Sequence, residues 1–287
     1  MGELLLEVRC EEIPARMLAS ATTEAGTRLF EELLAKGLTP GEIETGFPPR
    51  RLGLVLKDVP DREPDREEEV TGPPVSVGFD EEGNPTAAAL GFAKKCGVVA
   101  ADLQVISTPK GDYLGTTVRT EGRPASVVIG ELVPQILAGL NWAKSMRWGA
   151  GEGPWVRPVH GLLVLYEGEV VPCELFGVAA GGSTIGHPIH SPEPFPVSNS
   201  VDYYRQMSGR GIEVRFDQRR STLARGMAQA ATSAGGELVD DPQLLDKLAS
   251  ICGIPGVVVG EFDTRYLALP REVLTASLRD HQSALTV

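Results

Sequence analysis

The residue types best suited to chemistry or recognition crowd into one stretch of the chain, KSMRWGAGEGPWVRPVHG, between Lys144 and Gly161. It combines two tryptophans, two arginines, a lysine and a histidine around a glycine-rich turn. An arginine beside a tryptophan can stack on the ring, pair with a carboxylate, or bind a phosphate or base. The stretch is therefore a candidate nucleic-acid surface, a candidate catalytic loop, or an arginine–aromatic clamp that joins a helix end to a strand.

The histidines form the second candidate group. His187 and His190 lie three residues apart in a proline-rich loop, and His160 and Cys173 are the nearest further ligands for a zinc ion. The same four residues are the only plausible set for a hydrolytic site. Histidines with this spacing in a loop are more often exposed or hydrogen-bonded than bound to a metal or catalytic. The sequence therefore predicts no metal site and no catalytic constellation.

Composition narrows the function classes. The net charge of −12 argues against a nonspecific nucleic-acid binder. However, the acidity is concentrated in residues 1–82, and residues 94–157 carry a slight excess of basic residues. No GxGxxG, GxxxxGK[ST], HExxH or GxSxG motif occurs, which removes the commonest nucleotide-binding, metalloprotease and hydrolase interpretations.

The location of the protein is predicted from its cysteines and its N-terminus. The four cysteines are far apart, with no CxxC pair, and are expected to be reduced and mostly buried. The opening residues, MGELLLEVRCEE, lack a signal-peptide core, and no apolar run is long enough to span a bilayer. The sequence therefore predicts a cytoplasmic protein.

The elements that must position these residues alternate irregularly. Apolar runs predict strands at 3–8, 50–59 and 256–262, and hairpins turning at 110–112 and 167–168. Helical spacing predicts helices over 14–37, 85–97, 125–140 (kinked or divided at Pro134), and in four segments after residue 200. Residues 60–74, with two imperfect PDRE copies, are expected to form a solvated connector or a charged edge segment.

This pattern favours the α+β class, with mixed or antiparallel sheets, hairpins, packed helices and two subdomains. Along the chain we expect three segments. They are an N-terminal α+β segment over 1–74 that ends in the acidic connector, a central α+β domain with hairpins over 75–200, and a helix-rich segment with a strand over 201–287.

A family resemblance is carried by several pieces that occur in one order along the whole chain. They are LLLEVRCEEIPARML, FPPRRLGLVL, GFAKKCGV, KGDYLG, KSMRWG, WVRPVHGLLVLYEGEVVP, STIGHPI and VVVGEFDTRYLALPREVLTASLRDHQ. Together they resemble the bacterial glycyl-tRNA synthetase beta subunit. No single piece is decisive, and the specificity comes from their order.

The resemblance implies a partner and a division of labour. The family works as a heterotetramer of two alpha and two beta chains, in which alpha makes glycyl-adenylate from glycine and ATP with Mg. Beta contributes contacts to tRNA(Gly), and its anticodon-binding part lies toward its C-terminus. The resemblance also implies that 287 residues cover only the front part of a beta chain, with no cofactor of their own.

Three segments depart from the family's usual pattern, and the ending HQSALTV also lacks the family's usual aromatic after HQ. RCEEIP at Arg9–Pro14 replaces a GTEELP-like segment, RPVHG at Arg157–Gly161 replaces RPVRW, and GHPI at Gly186–Ile189 replaces GHRF. Two customary arginines are thus replaced by His160 and Pro188. If those arginines contact tRNA in relatives, this chain must bind tRNA differently or more weakly. If they are structural in relatives, repacking is sufficient.

The leading hypothesis is the N-terminal part of a glycine-tRNA ligase beta subunit that contributes tRNA contacts and subunit association, with no catalytic residue of its own. The alternatives are an editing-type hydrolytic domain acting on mischarged tRNA, and a pure assembly scaffold for the alpha subunit. Within the opening stretch, residues 144–148 are the better contact candidates and residues 155–161 a structural strand entrance. The predicted tRNA or partner contacts are Arg50, Arg51, Lys144, Arg147, Trp148 and Arg157.

Overall fold

A computed structural model describes residues 1–46, 48–80 and 82–287. Phe47, which opens the FPPRRLGLVL segment, and Glu81 lie outside the described residues. The strands, in chain order, are β1 Gly2–Cys10, β2 Ile43–Gly46, β3 Arg51–Val59, β4 Arg66–Pro74, β5 Gln104–Thr108, β6 Gly111–Thr120, β7 Met146–Trp148, β8 Glu152–Trp155, β9 Val159–Tyr166, β10 Glu169–Val170, β11 Glu174–Leu175, β12 Val178–Gly181, β13 Ser183–Thr184 and β14 Phe195–Pro196.

Helices cover much of the remaining chain, and among the described residues no helix is both long and apolar enough to cross a bilayer. The α-helices are α1 Ala15–Ala35, α2 Val75–Gly78, α3 Ala87–Cys96, α4 Ala125–Ala138, α5 Ser200–Gly209, α6 Phe216–Ser233, α7 Pro242–Ile251 and α8 Arg271–Ala276. A π-helical turn, Ser277–His281, follows the last of them.

The chain divides into two compact units, one formed by Met1–Asp61 with Ala125–Val287 and the other by Arg62–Pro124. The backbone N–H of Ala125 donates to the carbonyl of Asp61 at 2.8 Å. This bond joins the two segments of the larger unit at the residues that flank the smaller unit in the chain. These bounds differ from the three segments expected along the sequence, because long-range strand pairing brings the two ends of the larger unit into one sheet.

The larger unit is built on a mixed sheet in the order β11-β12-β9-β1-β3-β2, with β10 paired to β9. β1 lies antiparallel between β3 and β9. Because helices cover both faces of this central strand, its run Leu4, Leu5 and Leu6 is buried throughout, as expected for a strand without a solvent face.

Alternation along β1 assigns its side chains to two cores. Leu4, Leu6 and Val8 pack with α1 and α4 on one face of the sheet. Leu5 packs on the other face with residues of and around α5, including Tyr203 and Met207. The sheet is therefore the middle layer of three, and a polar residue at an odd position of β1 must find partners beneath α5.

The smaller unit contains an antiparallel sheet in the order β4-β6-β5, with α2 and α3 alongside it. The backbone N–H of Glu63 donates to the carbonyl of Arg123 at 2.9 Å, so its two ends are joined one residue in from each terminus. β4 contains the charged run of the PDRE segment, and it pairs on one side only. Of the two predicted alternatives for that segment, the edge position is the one adopted.

The structure confirms the predicted α+β class, and both predicted hairpins form at their expected turns. α4 continues through Pro134 as one helix. The strand predicted at 256–262 is wrong, because those residues have no regular structure and Val258 is 95% exposed. Strand propensity reflects packing on a half-buried sheet surface, and this run has no paired strand in the part of the chain that the structure describes.

Candidate functional site

The centre of the opening stretch is a short hairpin. β7 and β8 pair through Met146 with Trp155 and Trp148 with Glu152. Gly149 and Gly151 in its turn have φ of 54° and 114°, conformations that favour glycine. Arg147 Nη1 donates to the carbonyls of Gly151 and Gly153, at 2.8 and 2.7 Å. Part of this guanidinium is therefore committed to holding its own turn.

The tryptophans around the hairpin form an aromatic cluster. Trp155 is fully buried, and its Nε1 donates to the carbonyl of Leu137 at the end of α4, at 2.9 Å. Trp142 meets the Trp155 ring edge-on at 5.2 Å between centroids, and Trp148 meets Phe176 edge-on at 5.6 Å. One of the three interpretations of the stretch predicted a clamp between a helix end and a strand. Such a clamp is present, but Trp155 makes it in place of an arginine.

The basic residues of the stretch differ in how far their charged groups are already hydrogen-bonded within the protein. Lys144 is exposed and makes no hydrogen bond or ion pair within the described part of the chain. Arg157 is half-buried and donates from Nη1 to the carbonyl of Val156 at 2.8 Å. Met146 beside them is 41% exposed. The surface of the hairpin thus offers one unpaired lysine, two arginines partly used by carbonyls, and an apolar contact.

Arg50 and Arg51 have opposite environments despite being neighbours. Arg51 is 4% exposed, and its Nη1 donates to Glu7 at 2.7 Å and to the Thr184 hydroxyl at 3.0 Å. The hydroxyls of Thr184 and Tyr203 donate to the same Glu7 carboxylate. Burial would lower the pKa of Arg51, but the adjacent Glu7 carboxylate raises it, so the Arg51 guanidinium is charged.

Arg51 also fixes the loop after β13. Its Nη2 donates to the carbonyls of Ile185 and Gly186, at 2.6 and 2.7 Å. Because these bonds and the Glu7 pair occupy the guanidinium in the interior, Arg51 has no surface to offer a partner in this structure. Its predicted role as a contact is replaced by that of a positioning residue, while Arg50 remains at the surface.

The loop held by Arg51 forms one wall of a cleft of about 210 Å³ within the larger unit. Segments from β1, the start of β3, β9, the loop after β13, the loop after α5 and the end of α7 meet there. Its lining residues are Arg9, Cys10, Glu11, Glu12, Pro48, Pro49, Arg50, Arg51, His160, Ile185, Gly186, His187, Pro188, Ile212, Ile251 and Gly253.

A hydrogen-bonded group of Glu11, Arg50 and His160 lies at this cleft. Glu11 accepts from Arg50 Nη1 at 2.7 Å and lies 3.0 Å from His160 Nε2. Partial burial opposes ionisation of Glu11, yet the hydrogen bonds with His160 and Arg50 lower its pKa. The carboxylate is therefore ionised at neutral pH, and it ties β9 to the segment that precedes β3.

The candidate hydrolytic set assembles only in part. His160 and His187 both line the cleft, and His190 stacks on His187 at 4.6 Å between ring centroids. Cys173 packs against the main core instead. The thiol that does line the cleft is Cys10, and burial raises its pKa to about 12, so it is protonated and a poor nucleophile.

The described residues contain no group of three metal-ligating side chains. All four cysteines are free, as predicted, but only Cys10 is fully buried and the other three are half-buried. The expectation of mostly buried thiols is thus wrong for three of the four.

The three departures from the resemblance meet at this cleft. Arg9 and Gly161 are cross-strand partners in the β1–β9 pair. A Cβ on Gly161 would lie 2.9 Å from Arg9 Nη2, and that Nη2 donates to the carbonyl of His160 at 2.9 Å. A larger residue at 161 would therefore displace the end of the Arg9 side chain from this position. The two changes are compatible as a pair, and they leave a guanidinium beside His160.

Sequence reasoning missed the cleft because six separate segments build it. The signal available was the alternation of β1, which places Glu7 and Arg9 on the same face as Leu5. A glutamate in an otherwise apolar central strand predicts a buried cation partner, and Arg51 is that partner.

Comparison with known proteins gives a single family. The sequence profile described as "Glycyl-tRNA synthetase beta subunit" matches residues 4–287. The glycine–tRNA ligase beta subunits of Geobacter metallireducens, Oleidesulfovibrio alaskensis and Magnetococcus marinus are 36%, 37% and 37% identical to the chain. Each alignment covers 100% of this chain but only 42%, 41% and 41% of the relative. The chain thus spans about two fifths of the curated relatives that it matches.

Proposed function

The chain belongs to the glycyl-tRNA synthetase beta subunit family, and from that premise we propose that it forms the front part of a beta subunit that contacts tRNA(Gly) and the alpha subunit. In this proposal alpha carries the ATP- and Mg-dependent attachment of glycine. The two chains form a heterotetramer of two alpha and two beta subunits in the cytoplasm.

The observation that carries the tRNA contact is the exposed, unpaired Lys144 on the approach to the β7–β8 hairpin, with Arg147 beside it. An ammonium without a protein partner keeps its full charge for a phosphate. Arg157 and Arg50 are the further candidates, although each already makes one hydrogen bond. Trp148 supports the hairpin by packing on Phe176, so we assign it a positioning role.

The experiment uses the alpha subunit with full-length beta and measures tRNA(Gly) affinity between 50 and 200 mM salt, as well as glycylation. The beta variant in which Lys144, Arg147 and Arg157 are all alanine should bind tRNA roughly ten- to a hundredfold more weakly at low salt. Its log–log salt slope should fall by about 0.7–0.9 per lost phosphate contact. Arg271→Ala is the matched control, since Arg271 is exposed and far along the chain from the hairpin.

Unchanged tRNA affinity and salt slope in the triple variant would contradict the tRNA contact. If the same variant instead fails to co-purify with alpha, the scaffold alternative is favoured. The exposed Met146 beside the basic residues supports that alternative, since apolar and arginine side chains are common in interface centres.

The editing alternative has one supporting observation, the presence of His160 and His187 in the same cleft. Its test is deacylation of mischarged tRNA(Gly) by the 287-residue chain, compared with His160→Gln and His187→Gln. Deacylation that both substitutions abolish would replace the contact proposal with a hydrolytic one.

A further inference from the structure

The cleft carries hydrogen-bonding groups beyond those of Lys144, Arg147 and Arg157, on which the test of the tRNA contact rests. Arg50 commits Nη1 to Glu11, and its Nε and Nη2 have no described partner. His187 Nδ1 accepts from the backbone N–H groups of Ile189 and His190, at 3.2 and 3.3 Å. An Nδ1 that accepts has no proton, so a neutral His187 carries its N–H on Nε2 as a donor. These donors suit a carboxylate.

Acceptors stand at the same cleft. Glu12 is exposed and makes no hydrogen bond or ion pair among the described residues, and Glu11 lies next to it in sequence. Arg9 and Arg50 balance these two glutamates, and Arg51 is neutralised by Glu7. Its arginines and glutamates thus give the cleft both signs of charge and balance each other. That balance disfavours an isolated anion or an isolated cation and favours a ligand that carries one of each.

The remaining walls are apolar, formed by three isoleucines and three prolines: Ile185, Ile212, Ile251, Pro48, Pro49 and Pro188. The volume of the cleft is about 210 Å³. It is below the range of about 300–1,000 Å³ that drug-sized ligands occupy. The occupant must therefore be small and partly aliphatic.

We propose that this cleft binds a free α-amino acid with an aliphatic side chain. Arg50 and His187 Nε2 bind the carboxylate, Glu12 with Glu11 binds the ammonium, and the isoleucine and proline walls contact the side chain. The inference goes beyond the proposed function, since it requires neither tRNA nor the alpha subunit.

The test is calorimetric titration of the 287-residue chain at neutral pH with four probes. Leucine has both charges, 4-methylpentanoate lacks the ammonium, 3-methylbutylamine lacks the carboxylate, and inorganic phosphate is a compact anion. Leucine should bind at least about tenfold more tightly than each of the others, because only leucine satisfies both sets of charged groups.

Two charge-neutralising variants locate the site. Arg50→Gln should weaken leucine binding about tenfold or more, and Glu12→Gln should remove the preference for leucine over 4-methylpentanoate. Arg271→Gln and Glu31→Gln are the charge-matched controls and should bind leucine as the parent chain does. Glu31 is exposed on α1. It lies about 24 Å along the helix axis from the start of α1.

A third variant blocks the cleft without a change of charge. A Cβ on Gly253 would meet only Pro49 Cδ, at 3.7 Å, an ordinary contact. Gly253→Leu should therefore fold with an unchanged melting temperature and lose leucine binding. Equal affinity for leucine and 4-methylpentanoate, tighter binding of phosphate, or undiminished leucine binding by Gly253→Leu would each overturn the proposal. None of these outcomes bears on the tRNA contact.

Discussion

The β7–β8 hairpin and the cleft are both rich in arginine, yet they use it differently. In the hairpin Arg147 binds the carbonyls of its own turn, Gly151 and Gly153, and Trp155 anchors the strand to α4. At the cleft the deeper Arg51 takes the structural bonds, and its neighbour Arg50 retains free donors at the surface.

This difference shows that the number of donors an arginine can offer to a partner depends on the carbonyls and carboxylates around it. Glycine-rich turns expose carbonyl oxygens, and a guanidinium with five donors satisfies them first. In the pair of Arg51 and Arg50, the buried Arg51 makes the structural hydrogen bonds, and the more exposed Arg50 keeps donors for binding. Three substitutions test how far this contrast holds.

The largest effect is expected at Arg51. Arg51→Ala leaves the buried Glu7 carboxylate without its cation, which should lower the free energy of unfolding by about 3–5 kcal/mol. The measurement is urea denaturation followed by circular dichroism. Arg50→Ala is the matched control and should cost less than about 1 kcal/mol, because the Arg50–Glu11 pair is largely exposed. Similar losses for both variants would remove the distinction between the two arginines.

An intermediate effect is expected at Trp155. Trp155→Phe keeps an aromatic ring against Trp142 but removes the Nε1 donor to Leu137 and leaves a small void, at a cost of about 1–3 kcal/mol. The same denaturation assay applies. Trp148→Phe should cost less, because Trp148 is only half-buried. A larger loss of stability in Trp148→Phe than in Trp155→Phe would mean that Trp148, and not Trp155, anchors the hairpin.

The smallest effect is expected at Arg147. Arg147→Ala removes two exposed hydrogen bonds from the turn, so global stability should change by about 1 kcal/mol or less. The turn itself should open more often. Hydrogen exchange at the Gly151 amide, which donates to the carbonyl of Trp148, should accelerate about two- to fivefold, whereas Lys144→Ala should leave it unchanged. Unaltered exchange in Arg147→Ala would show that the arginine is free for a partner.

Much of the fold was predictable from local pattern. The run ELLLEV predicted β1, the spacing of Leu18, Leu29 and Leu33 in a longer apolar series predicted α1, and Glu167–Gly168 predicted the hairpin of β9 and β10. In each case a periodicity or a turn signal lies within one continuous segment. The segment 155–161 was predicted as a structural strand entrance, and it contains the buried end of β8 at Trp155 and the start of β9 at Val159.

What the sequence could not provide depends on contacts between distant segments. The pairing of β1 with both β3 and β9 places Glu7, Arg51 and Thr184 in one network, and no local pattern encodes that pairing. The cleft follows from the same pairing. At 256–262 a local β-type pattern predicted a strand wrongly, because a strand also needs a partner edge.

The junction of the two units has a consequence for how this chain can be shortened or lengthened. Asp61 and Ala125 are hydrogen-bonded to each other, so residues 62–124 leave and re-enter the larger unit at one point. To the larger unit they are a loop, and each doubling of loop length adds only about 0.6 kcal/mol of closure entropy. Excision of this unit, or its exchange for another insert of different size, should therefore leave the three-layer core and its cleft intact.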